Sequence, residues 1–144
     1  MEFISLKTAE QIVNRALKKR KEMGFHVMTV AVLDAGGYPK ILKREDGAAL
    51  LRADIAIGKA WGVLGMGFGG RELERRAAKI PLFFNALSDL SGGRVVPVPG
   101  GVIIRTKSGT IVGSVGISGD TSENDDICAV YGIESAGLIP DTGD

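Results

Sequence analysis

Arg44, Lys59, Arg94 and Asp126 are the side chains of this 144-residue chain whose types and neighbours could hold or process a small acidic molecule. Arg44 opens Arg44-Glu45-Asp46-Gly47, a turn after a β-rich run. A guanidinium fork there can grip a carboxylate through two parallel bonds, and an ordinary solvated turn is the equal alternative. Lys59 sits in a run that is apolar nearly all round, from Leu50 to Leu64, and shares a helical stripe with Arg52. That stripe is either a narrow solvent strip with snorkelling stems or a basic face turned to an acidic ligand or a subunit neighbour. Arg94, beside Gly92-Gly93, repeats the Arg44 pattern. Asp126 stands in the helix opening that follows Ser118-Gly119-Asp120-Thr121-Ser122. The stretch Val95–Asp126 is rich in glycine, and glycine lets a ligand approach the main chain closely. Proton transfer needs a base with a tuned pKa in a dry pocket. Lys59, Asp126 and Asp46 are the candidates for it. Arg44, Arg94, Lys59, Gly100, Gly101, Ser118 and Gly119 are the candidate ligand contacts.

His26 is the sole histidine and Cys128 the sole cysteine. One histidine excludes a multi-histidine metal site within a subunit, and one cysteine excludes an intrachain disulfide. A single imidazole can still act as an axial haem ligand or a general base, against the plainer reading of a half-buried strand end. Cys128, among apolar neighbours, reads as an inert buried thiol, with a Cys128–His26 nucleophile pair as the rival. Gly65-Met66-Gly67-Phe68-Gly69-Gly70 matches a dinucleotide-loop string but follows a helix, not a strand, so it reads as a helix-ending loop. The Ser118–Ser122 loop does precede a helix. The acids Asp120, Glu123, Asp125 and Asp126 would repel a phosphate there, so capping is the simple reading.

These side chains need a scaffold, and the periodicities supply one. Ser5 caps a helix reaching about Met23, which ends in Lys18-Lys19-Arg20-Lys21 and Gly24. His26–Asp34 reads as a strand and turns through Ala35-Gly36-Gly37 into Tyr38–Lys43, a hairpin. Ala48–Met66 reads as a long helix and Arg71–Ala78 as a shorter one; Leu82–Gly93 is ambiguous. Val102–Thr106 and Thr110–Ile117 form a second hairpin, and Ser122–Ala136 a final helix. Gly137, Pro140 and Gly143 end the chain loosely. Hairpins make the sheet antiparallel, with helices packed on its faces, an α+β arrangement in α/β/α layers.

Length and composition fit one domain, 1–144, with an aliphatic core. Net charge is +1 but unevenly placed: residues through Lys107 carry about +8, and the rest about −7. This points to internal or intersubunit complementarity rather than a nucleic-acid surface. No apolar run is long enough to span a membrane, and no hydrophobic signal core opens the sequence. A reducing cytoplasm is the expected location.

Five ordered pieces, Val30–Gly37 (VAVLDAGG), Lys43–Ala48 (KREDGA), Ile55–Ala60 (IAIGKA), Val98–Gly119 (VPGGVIIRTKSGTIVGSVGISG) and Asn124–Ala129 (NDDICA), resemble the GlcG/HbpS-like family. That family includes the C-terminal domain of PduO-type cobalamin adenosyltransferases. The resemblance implies a profilin-like fold, a five-stranded antiparallel sheet flanked by helices, with Arg94–Val98 as the natural fifth strand. It implies a homo-oligomer, a dimer or a larger assembly up to an octamer. It also implies haem binding or haem degradation, though it maps no axial ligand onto this chain; by residue type, His26 is the candidate iron contact, and Arg44, Lys59 or Arg94 would pair with the propionates. The second reading is an enzyme, a tautomerase, lyase or hydrolase, acting on a small carboxylated metabolite. The third is a structural or regulatory oligomer without a small ligand.

Overall fold

Ser5 stops the extended entry segment by accepting a hydrogen bond from the Thr8 amide at 3.1 Å, and Gly24, at φ 70°, ends the helix it starts. A computed structural model describes residues 3–144, so positions 1 and 2 of the expected 1–144 domain lie outside the described residues. The order is α1 (Leu6–Met23), β1 (Thr29–Asp34), β2 (Pro39–Arg44), α2 (Leu51–Met66), α3 (Gly70–Lys79), α4 (Pro81–Leu90), β3 (Gly101–Arg105), β4 (Ile111–Ser118), α5 (Ser122–Ser135) and β5 (Ile139–Asp141). The strands form one antiparallel sheet in the order β2-β1-β4-β3-β5. This is the profilin-like α/β/α arrangement.

Alternation along the strands assigns the two faces. Val30, Val32, Val102, Ile104, Val115 and Ile117 pack with Ile12 and Val13 of α1 and with Cys128, Ala129 and Ile133 of α5. The opposite face, carrying Thr29, Ala31 and Leu33 of β1 and Ser114, Gly116 and Ser118 of β4, lies under α2. There α2 runs along β4. Arg52 reaches Ser118, Ala56 sits on Gly116, and Ser114 Oγ donates to the Ala60 carbonyl at 2.7 Å. A smaller cluster of Val63, Leu73, Phe84 and Ile103 ties α3 and α4 to this side.

Three expectations need correction. The fifth strand is Ile139–Asp141, not Arg94–Val98. The latter stretch is irregular and lies across α2, where Gly58 and Gly62 admit Val95 and Val96. Pro97 and Pro99 lack the N–H groups a ladder needs. The C-terminal segment is not loose: β5 pairs with β3, and Arg105 holds Asp141 at 2.9 Å. The strand expected from His26 begins only at Thr29, because the His26 amide donates to Asp120 Oδ2 at 2.7 Å instead of to a strand. The ambiguous Leu82–Gly93 stretch is α4, opened by Pro81 in its first turn.

Candidate functional site

Most of the candidate residues, though not Arg94, gather in two groups joined through the start of α5. The first lies at the sheet end where β2, β1 and β4 stop. Thr29 stands between Arg44 and Ser118 in register. Arg44 Nη1 donates to the Ala48 carbonyl at 2.8 Å, and Arg52 Nη1 to Ser118 Oγ at 3.1 Å. Gly119 follows, packed so closely on the Val27 carbonyl that a side chain there would collide with it. Asp120 then turns the chain into α5. It accepts from the amides of His26 and Thr121 and from the Asn124 side chain, and these bonds, the His26 amide first, hold its carboxyl below the usual range.

The second group is buried. Lys59 Nζ pairs with Asp125 Oδ2 at 3.1 Å, the side chains being 4% and 1% exposed. Asp125 Oδ1 accepts from the Asp120 amide at 3.0 Å, which links the two groups. Asp126 Oδ1 accepts from the Gly100 amide at 3.0 Å, and its Oδ2 pairs with Arg71 Nε at 2.7 Å. Arg71 also reaches Asp144, and that double engagement raises its pKa. Gly100, at φ 102°, is needed: a Cβ there would lie 2.8 Å from the Ile117 carbonyl and 2.9 Å from Lys59 Nζ. Gly101 leaves room for the Lys59 carbonyl in the same way.

Lys59 and the α5 acids therefore do meet beside Gly100 and Gly101, but the partner of Lys59 is Asp125, while Asp126 belongs to Arg71. Arg44 is not in this cluster. Arg94 lies apart, its guanidinium 4.1 Å above the Trp61 ring and its Nε donating to the Ser91 carbonyl. That pair borders an apolar hollow of about 220 Å³ formed by α2 and α4. Asp46 and Arg44 line a hollow of about 490 Å³ with Leu17, Arg20, Val27, Lys43 and Glu45. In it Glu45 is occupied, pairing with Arg20 at 2.9 Å and accepting from the Met28 amide. Neither hollow is lined by Lys59, Asp125 or Asp126.

His26 is exposed rather than half-buried, lies outside β1, which begins at Thr29, and has its Nδ1 3.3 Å from the Val27 carbonyl. Cys128 is fully buried in the α1–α5 core, and burial pushes its thiol up to about 12. It is not a thiolate nucleophile at neutral pH. Sequence reasoning missed Asp125, Arg71 and Thr29 as site residues. Asp125 adjoins the chosen Asp126, and no periodic signal separates the two neighbours. Arg71 lies in a stretch that reads as a charged, solvated helix.

Burial pushes the carboxyls of both Asp125 and Asp126 up. For Asp126 the Gly100 amide and Arg71 pull back without reversing the direction. A carboxyl with a raised folded pKa binds more protons folded than unfolded between the two values. Its contribution to stability is therefore lost as pH rises through that window. Asp126→Asn is expected to flatten the fall in stability in the range just above the ordinary carboxylate value. Denaturant unfolding across that pH range checks this; a stability difference, wild type minus variant, that grows with pH there contradicts it.

A small α/β/α protein with one antiparallel sheet, and with cations gathered where three strands end, is the class that fold and site define. The chain belongs to the family described as haem degrading protein HbpS-like, whose model matches residues 4–134. It is 26% identical over 122 residues to the corrinoid adenosyltransferase PduO of Citrobacter freundii, covering 85% of this chain and 36% of that protein. The chain thus spans about a third of the length of the curated relatives it matches. Among solved structures, a PduOC–heme complex superposes with a TM-score of 0.86 at 24% identity, covering 99% of this chain and 100% of that one. A double mutant of Streptomyces reticuli HbpS gives a TM-score of 0.81 at 26% identity, covering 94% and 88%.

Proposed function

We propose that this protein binds haem or a related tetrapyrrole, at the sheet end marked by Arg44 and His26. The observation that carries the reading is family membership over nearly the whole chain, together with the full-length likeness to a protein whose structure holds heme. The residues at that end fit such a guest by type. Leu17 and Val27 offer apolar contact to a macrocycle, Arg44 and Lys43 offer charge to its propionates, and exposed His26 offers an imidazole for the iron. Bound haem would supply the iron chemistry that the family description names; the chain would bind it and orient it. Lys59 is already committed to Asp125, so the propionate role proposed for it falls to Arg44.

Oligomerisation belongs to the same proposal. Leu50 and Leu51 at the start of α2 and Leu82 and Leu90 on α4 are each more than 60% exposed, apolar side chains that a second copy could cover. A cytoplasmic location is proposed with it. No helix among the described residues is long and apolar enough to cross a membrane.

Haem titration tests the reading. A saturable Soret shift at stoichiometric ratio is expected. His26→Ala should change its position or abolish it, and Arg44→Ala should weaken binding several-fold. No Soret shift in the wild-type protein sinks the proposal. A shift identical in His26→Ala removes His26 from it.

A further inference from the structure

Donors outnumber acceptors at the sheet end beneath the start of α2. Arg44 and Arg52 each spend one N–H, on Ala48 O and Ser118 Oγ, and neither joins an ion pair among the described residues. The nearby acids are otherwise engaged or turned away. Glu45 is held by Arg20 and the Met28 amide, and Asp120 by three donors. Asp46 and Asp54 are exposed. α2 starts without a side-chain cap, because the residue in that place is Leu50.

Thr29 supplies an independent observation. It is fully buried, and its Oγ1 has no hydrogen-bond partner, one of only two such side-chain atoms among the described residues. Its direction follows from alternation: Val30 and Val32 enter the α1–α5 core, so Thr29 projects to the α2 side. There it stands between Arg44, tied to the approach to α2, and Ser118, tied to the first turn of α2. Arg44 and Ser118 are two strand spacings apart, roughly 10 Å between Cα atoms, with Thr29 midway. A buried hydroxyl without a partner costs stability, and natural structures leave few of them. The hydroxyl of Ser118 accepts from Arg52 and keeps its own proton to give.

We infer that Arg44, Arg52, Ser118 and Thr29 form a carboxylate-binding site at this sheet end, with Arg52 and Thr29 as its specific additions to the tetrapyrrole reading. Two guanidinium groups can hold both oxygens of a carboxylate, and the two hydroxyls can donate to the same anion. Asp54 in the first turn of α2 and Asp120 beyond Ser118 add negative charge nearby. That favours a carboxylate group, which carries one charge, over a phosphate group, which carries up to two. The carboxylate is either a propionate of a tetrapyrrole or that of a free organic acid. The site rests on the proposed function for the first source only.

The probes are haem, haem dimethyl ester, succinate and inorganic phosphate, titrated into wild type, Arg52→Met and Thr29→Val. If the carboxylate is a propionate, haem should bind at least tenfold more tightly than its dimethyl ester. Arg52→Met should erase most of that difference. If the carboxylate is free, succinate should bind saturably whatever haem does, and Arg52→Met should weaken it at least tenfold. In either case Thr29→Val should weaken binding several-fold while leaving the ligand-free melting temperature unchanged or raised. A purely structural threonine would not give that pairing. Haem binding with equal affinity as acid, as ester and in Arg52→Met, with no saturable succinate binding, overturns the site and leaves the haem reading standing. Succinate binding lost in Arg52→Met, with no haem binding, keeps the site and removes the haem reading. Phosphate binding more tightly than succinate overturns the ligand class.

Discussion

Lys59→Met is expected to destabilise the folded protein by about 3–5 kcal/mol, the cost of stranding one charge of a buried pair. The melting temperature should fall by roughly 10 °C or more. Asp125 would keep only the Asp120 amide as a donor, at 3.0 Å, in a place where burial already pushes its carboxyl up. Methionine nearly matches the lysine stem in shape, so lost packing contributes little. The double variant Lys59→Met/Asp125→Asn should recover most of the loss, because a neutral amide can still accept from the Asp120 amide through its oxygen. The cost of the single change is that of an unpaired ion, so replacing both partners should be far cheaper. Thermal unfolding of the four proteins in this cycle decides it. A single variant as stable as wild type would mean that Lys59 and Asp125 are not a desolvated pair. An equally unstable double variant would assign the loss to shape instead of charge.

The unequal charge along the chain was legible, and the structure gives it a physical form. The acid-rich C-terminal stretch is tied to the basic part by Lys59–Asp125, Arg71–Asp126, Arg71–Asp144, Arg75–Asp144 and Arg105–Asp141. Internal complementarity was one of the two expectations drawn from that asymmetry. The hairpins were legible because a glycine turn between two β-rich runs is a local signal: Gly37 at φ 87° and Gly109 at φ 92° sit where the turns were placed. The edge strand was not. Ile139–Asp141 is three residues long and contains Pro140, so its pairing comes from tertiary contact with β3 and the Arg105–Asp141 pair, neither of which leaves a periodic trace.

The site shows the same division. Arg44, Ser118 and Gly119 could be picked out because turn and loop residues announce themselves. Thr29 could not: it reads as an ordinary β-branched strand residue, and its unpartnered hydroxyl exists only once α2 lies over it. Asp126 was singled out in the sequence, whereas its neighbour Asp125, which pairs with Lys59, was not; the two are one residue apart. On a helix that step is about 100° of rotation, enough to turn a carboxylate from Lys59 to Arg71.

Gly116→Ala should be the most damaging small substitution on this sheet, and it tests whether α2 is what builds the binding end. Gly116 lies on β4 directly beneath α2, and a Cβ there would overlap the Ala56 carbonyl and come within 2.8 Å of the Ala60 amide. Those are backbone atoms of a packed helix, so no rotamer change can relieve the clash. The helix must rise off the sheet or the strand must bend. A loss of about 3 kcal/mol is the expectation for overpacking of this severity. Moving α2 also moves Arg52 relative to Ser118 and breaks the 2.7 Å bond from Ser114 Oγ to the Ala60 carbonyl. The variant should therefore lose stability and, in whatever fraction stays folded, bind ligand more weakly at the Arg44–Arg52 end. Gly113→Ala is the comparison: it lies on the same strand but meets the Leu33 carbonyl, away from α2. It should cost stability without the specific loss of binding. If Gly116→Ala unfolds like wild type, α2 does not rest on β4 at this point, and the placement of Arg52 over Ser118 falls with it.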